Sequence, residues 1–139
     1  MKKIILNIAL LFCVCFLNAQ DIKTSVLSGK WVVQKIEAFE NGKLTDTNEK
    51  DPENKCPGYV EFFKDGKTTS YNYKKDCTLR RKDDGTYTIK YGVLVITENG
   101  GDEAINMKIL KQEEDIMVLT ATETYEDVEY KTIAYFVRY

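Results

Sequence analysis

The chain predicts an all-β fold, an eight-stranded antiparallel up-and-down (meander) barrel. Three observations carry that prediction. Short runs of apolar and polar residues alternate with period two through residues 30–138. Tight-turn residues separate the runs, and the registers those turns impose bring apolar side chains onto one continuous face.

Strands are expected at 30–38, 58–64, 67–74, 86–91, 93–97, 103–112, 116–124 and 128–138. Asp65 and Gly66 both tolerate positive φ and suit a two-residue hairpin turn, which sets Phe62 opposite Thr69 and Val60 opposite Tyr71. Tyr91 and Gly92 set Ile89 against Leu94 and Tyr87 against Ile96. Gly100 and Gly101 set Ile96 against Ile105 and Leu94 against Met107. A turn at Glu113 and Glu114 sets Ile109 against Val118, and one around Glu126 sets Val118 against Ala134 and Ile116 against Phe136. Tyr87, Leu94, Ile109, Val118 and Phe136 then share a face. A one-residue slip would turn a strand's side chains over, so the agreement argues for one sheet, and a sheet of eight twisted strands closes to remove its edges. Residues 39–57 read as a long polar loop over one end.

Residues 1–19 read as a signal peptide, with Lys2 and Lys3 ahead of an apolar run and Ala19 at the cleavage point. The mature domain is then 20–139, exported to the periplasm or the extracellular space, with no integral membrane segment because the apolar run is too short and unrepeated. Lipid attachment at Cys13 or Cys15 is a weaker alternative, since Phe12 and Val14 suit that processing poorly. Cys56 and Cys77 remain after cleavage, and two cysteines in an exported domain read as one disulfide. The Asp65–Gly66 hairpin brings Cys56 opposite residue 75, close enough for a bulge to complete the pairing.

The chain has no histidine and a net charge of −2. That removes Ser-His-Asp and Cys-His catalysis and histidine-based metal or haem sites, and it argues against nucleic acid as a partner. Glu61, Glu98 and Glu123 fall on outward positions or in turns, the wrong places for a paired-carboxylate cleft. Asp46, Asn48, Glu49, Asp51 and Glu53 lack the EF-hand glycine and spacing. The expectation is no enzyme, no metal and no cofactor.

Leu27, Ser28, Gly29, Lys30 and Trp31, followed by an apolar strand, resemble the first-strand motif of the calycins, the lipocalin and fatty-acid-binding-protein superfamily. With Cys56, residues 60–66 (VEFFKDG), Cys77, residues 85–87 (GTY), Tyr135 and Arg138, the chain resembles the lipocalin-like domains exported by Bacteroidetes-type bacteria. The resemblance implies a lipocalin-like barrel whose floor is closed by a clasp of Arg138 over the ring of Trp31.

Phe62, Tyr71, Tyr73, Tyr87, Ile89, Ile96, Met107, Val118 and Phe136 are the pocket candidates, an inward group suited to a small apolar or amphipathic ligand. The alternative is a filled barrel acting as a protein-interaction module through its outer surface. In that reading Met117, Leu119 and Tyr135 form an apolar outer face for a homodimer or protein partner, unless an N-terminal helical turn with Ile22, Val26 and Leu27 covers it. A small outer-membrane barrel is a further alternative. It is opposed by Thr68, Ser70 and Asn72 on one face of their strand and by Glu129 and Lys131 in the last, which break any lipid-facing band.

Overall fold

The computed structural model describes residues 24–101 and 103–139, so the expected signal peptide and Ile22 lie outside the described residues. One helical turn, α1 (Thr24–Leu27), leads into nine strands: β1 (Gly29–Glu40), β2 (Lys43–Glu49), β3 (Tyr59–Phe62), β4 (Lys67–Tyr73), β5 (Leu79–Lys90), β6 (Val93–Glu98), β7 (Ala104–Gln112), β8 (Ile116–Tyr125) and β9 (Val128–Arg138). Each strand from β3 to β8 pairs with the next. β3 and β9 both pair with β1, which closes an eight-stranded antiparallel barrel.

β2 is the additional strand, inside the segment expected to be a loop. Asn41 and Gly42 both take positive φ, at 47° and 79°, and fold β2 back along residues 35–40 of β1. The turn also docks on β9, with the Asn41 amide donating to the Glu129 carbonyl. Asn-Gly is a strong hairpin signal, but every residue of β2 is exposed, so no alternation marks the strand. β1 therefore uses one edge twice, pairing β3 at residues 29–31 and β2 further along. β5 also begins earlier than expected, at Leu79. Arg80, Arg81 and Lys82 are therefore strand residues.

Three hairpins differ from the expected register by one residue. Between β3 and β4, Phe63 donates to the Lys67 carbonyl and Gly66 sits at φ 84°, so the loop takes three residues. Phe62 then faces Thr68, and Val60 faces Ser70. The Gly66 carbonyl accepts from the Tyr87 amide, which pins this turn to β5. Between β7 and β8 the register shifts at residues 109–111, leaving Ile109 opposite Leu119. At the β8–β9 turn both Glu126 and Asp127 take positive φ, and Ala134 faces Leu119. The last two slips cancel in β9, where Ala134 and Phe136 keep their inward side, and they invert β8. The β5–β6 and β6–β7 registers are as expected, with Tyr87 opposite Ile96 and Leu94 opposite Met107.

The core follows from these registers. Trp31, Phe62, Leu94, Met117 and Leu119 are almost wholly buried, and Phe62 meets Tyr87 edge-on with ring centroids 4.9 Å apart. Met117 and Leu119 are thus core residues, and the expected outer face they shared with Tyr135 does not exist. Tyr135 does face outward, where its hydroxyl donates to Glu37 at 2.8 Å and Lys35 lies 4.5 Å over its ring. α1 does not cover that outer face either. Its Leu27 is fully buried in the core cluster beside Trp31.

Candidate ligand-binding site

The floor of the barrel is built from both ends of the described chain. Gly29, at φ 123°, turns the backbone from α1 into β1 and delivers Trp31 inward, where its indole Nε1 donates to the Leu27 carbonyl at 2.7 Å. The Arg138 guanidinium lies 4.4 Å from the Trp31 ring centroid. Its Nη1 donates to the Ser28 carbonyl (2.8 Å), Nη2 to Val26 (3.1 Å) and Nε to Glu114 (2.7 Å). One planar cation thereby ties α1, the β7–β8 turn and β9 together. A side chain at position 29 would put a Cβ 2.6 Å from Nη1, so glycine is needed there for space as well as for φ.

Above this floor lies a cavity of about 630 Å³ that opens at the other end of the barrel. Its lower wall is apolar, with Trp31, Val33, Phe62, Met107, Leu119 and Phe136. Its mouth is polar, with Gln34, Asn48, Glu49, Ser70 and Asn72 from the strands and Lys50, Asp51 and Asn54 from the β2–β3 connection. The connection is held over the mouth in three ways. The Lys50 amide donates to the Gln34 carbonyl at 2.8 Å, the Asp51 carboxylate accepts from the Glu53 amide, and the Asn54 side chain accepts from the Cys56 amide. The Cys56–Cys77 disulfide then fastens it to the β4–β5 turn, with the two Cα atoms 5.4 Å apart. In that turn Cys77 has φ 66°, and Asp76 accepts from both the hydroxyl and the amide of Thr78, which lowers its pKa.

Of the pocket candidates, Phe62, Ile96, Met107 and Phe136 line the cavity with their inward strands. Tyr87 and Ile89 belong to the core packing below it. The Tyr87 hydroxyl donates to the Phe63 carbonyl, and burial raises its pKa. Val118 is displaced by the β8 inversion, which presents Met117 and Leu119 inward in its place. Tyr71 and Tyr73 are displaced by the one-residue slip at the β3–β4 hairpin. The Tyr71 ring stacks on Tyr59, with centroids 4.7 Å apart, on the side of the sheet opposite Val60 and Ser70. Tyr71 thus borders the mouth from outside.

The tyrosines form an outer group of their own. Tyr59 stacks on Tyr71 and, at 5.6 Å, on Tyr139, while Lys30 lies 5.0 Å over its ring. Tyr59 is pushed up to about 12, chiefly by desolvation and also by its hydrogen bond with Tyr73. The residues missed from the sequence are Val33 and Leu119 in the wall and Gln34, Asn48, Ser70 and Asn72 at the mouth. The alternation of Thr68, Ser70 and Asn72 was visible, but its inward direction depended on a single residue of hairpin length.

A closed antiparallel barrel, sealed at one end by a tryptophan–arginine clasp and hollow at the other, defines the calycin class of β-barrel proteins. Within it, the chain belongs to the lipocalin-like domain family, whose model matches residues 27–119. No curated protein sequence matches the chain. Among solved structures it is similar to apocrustacyanin C2 (18% identity, TM-score 0.58), to lobster apocrustacyanin A1 (18%, 0.57) and to apocrustacyanin C1 (18%, 0.57). Each superposition covers 86% of this chain and 64% of the other, so the chain spans less than two thirds of the length of those proteins. At such identity the likeness is one of fold.

Proposed function

We propose that this is an exported, non-catalytic binding protein that holds a small apolar or amphipathic molecule in its barrel. The cavity of about 630 Å³ carries the reading, because an apolar wall under a polar mouth is the arrangement that removes such a molecule from water. Phe62, Ile96, Met107 and Phe136, joined by Val33 and Leu119, are the residues proposed to contact it. Trp31 and Arg138 seal the floor without touching the solvent side of the ligand. The expected signal peptide and the disulfide support export to the periplasm or beyond. The order of motifs from Leu27 to Arg138 supports grouping the chain with the small lipocalin-like domains exported by Bacteroidetes-type bacteria.

The test is direct. The mature protein is purified without detergent, extracted with organic solvent and analysed by mass spectrometry. In parallel, N-phenyl-1-naphthylamine is titrated into the delipidated protein. An enriched small molecule or a saturable rise in probe fluorescence is expected, abolished by Leu119→Arg. Absence of both would leave the outer-surface reading, a barrel that works through protein contacts.

A further inference from the structure

The mouth of the cavity is chemically selective in a way the apolar wall is not. Gln34, Asn48, Ser70 and Asn72 are strand-borne polar residues there, and all four are neutral. Among the hydrogen bonds of the described residues, none uses any of these four side chains, although the neighbouring Asn54 and Asp51 are both engaged within their loop. Gln34 falls where the β1–β9 register shifts, between Val33 and Lys35, at the boundary between apolar wall and polar mouth. Asn48 stands opposite Ile36 and Ser70 opposite Val60, so both lie on the strand faces that carry cavity-lining residues.

Charge is distributed differently. The charged residues bordering the cavity are Glu49, Lys50 and Asp51, all from the end of β2 and the connection after it. No arginine or lysine lies in the wall among the described residues. Arg138, the cation nearest the floor, is spent on the carbonyls of Ser28, Val26 and Glu114. A carboxylate drawn into this barrel would lose water and meet, at the mouth, one ammonium (Lys50) set against the two carboxylates of Glu49 and Asp51, a cost that an amide, alcohol or sugar avoids by bonding to the free amides and hydroxyl.

Resting on the binding function proposed above, we infer that the ligand is an amphiphile with an apolar body and a neutral, hydrogen-bonding head group. The body occupies the wall between Phe62 and Leu119, and the head lies among Gln34, Asn48, Ser70 and Asn72. Fatty-acid anions are poor ligands.

Decanamide and decanoate, nearly isosteric and differing in charge at pH 7.5, test this by competition against N-phenyl-1-naphthylamine. Decanamide is expected to displace the probe at about tenfold lower concentration than decanoate. Because an apolar hole alone also disfavours an anion, the mouth variants decide the matter. The double substitution Gln34→Ala and Asn72→Ala should weaken decanamide about tenfold while probe affinity stays within about twofold. Asn72→Lys, at an exposed position, should strengthen decanoate about tenfold by adding a cation to a mouth where Glu49 and Asp51 outweigh Lys50. If decanoate matches decanamide in the native protein, if the double variant binds decanamide unchanged, or if Asn72→Lys gives decanoate nothing, the inference is overturned while the cavity reading stands. If the probe itself fails to bind, it is the binding function that falls.

Discussion

Arg138→Met is the sharpest test of how the barrel is closed. Methionine keeps an apolar stem over Trp31 and deletes the guanidinium. The half-buried bond to the Ser28 carbonyl is charge-assisted and contributes about 1.5 kcal/mol, whereas those to Val26 and Glu114 sit at the exposed rim, where water substitutes, and contribute about 0.5 kcal/mol each. The cation–π contact adds about 0.5 kcal/mol at this exposure. The expected loss is about 3 kcal/mol, or about 12 °C in Tm for a domain of this size. Urea unfolding reads it cleanly, because Trp31 is the only tryptophan and its fluorescence reports the floor itself. Arg138→Lys should recover little, since an ammonium cannot span three divergent carbonyls. Arg81→Met removes an exposed arginine paired with Asp83 and should leave the midpoint near that of the native protein. The reasoning fails if Arg138→Met unfolds at the same urea concentration as Arg81→Met, for then packing alone closes the floor.

The inversion of β8 makes a second prediction: Met117→Ala should cost about 3 kcal/mol, and Ile116→Ala, one residue away on the outer side, less than about 1 kcal/mol by the same urea assay. A larger loss at Ile116 than at Met117 would mean the expected register was right. Removing the disulfide by Cys56→Ser with Cys77→Ser should cost about 3 kcal/mol on the chain-entropy model for a separation of 21 residues, seen as a lower midpoint with the barrel's circular-dichroism spectrum retained. Alkaline pH gives a fourth. Tyr59 is raised from 10.0 to about 12 in the folded protein, so its contribution is complete below pH 10 and is lost as pH rises toward 12. Tyr87 and Tyr135 are also raised, so absorbance at 295 nm should show a late-titrating phase that loses one tyrosine's amplitude in Tyr59→Phe, and an unchanged titration would refute the assignment. At the acid end the sign is opposite. Glu37 is lowered from 4.5 by its hydrogen bond with Lys35 and then by that with Tyr135, so native protein should lose its advantage over Glu37→Gln as pH falls through the folded value.

Much of the fold was legible because burial writes a period into sequence. The β5–β6 and β6–β7 hairpins were readable to the residue, since Tyr91 and Gly92, and then Gly100 and Gly101, mark tight turns between strands that alternate strongly. β2 was not legible, because a strand exposed along its whole length has no buried face to impose alternation. The Asn41 and Gly42 signal was present there without a pattern around it. The site was legible only in part. Phe62, Ile96, Met107 and Phe136 could be found as inward apolar residues. Tyr71, Tyr73 and Val118 could not be excluded, because a hairpin loop of two or three residues is decided by what the turn packs against.

The sequence by itself determined that the chain forms an antiparallel barrel, where most of its strands run, which two cysteines join and which tryptophan and arginine meet at its floor. These rest on local turn chemistry, side-chain alternation and a recognisable set of motifs. Only the tertiary structure decided which face of β4 and β8 looks inward, and with it whether tyrosines or small polar residues surround the mouth. The physical reason lies in the period of the strand. Side chains alternate every residue, so one residue of slip in a turn or at a bulge reverses a whole strand. The partners that settle the slip, such as the Tyr87 amide on the Gly66 carbonyl, come from distant parts of the chain.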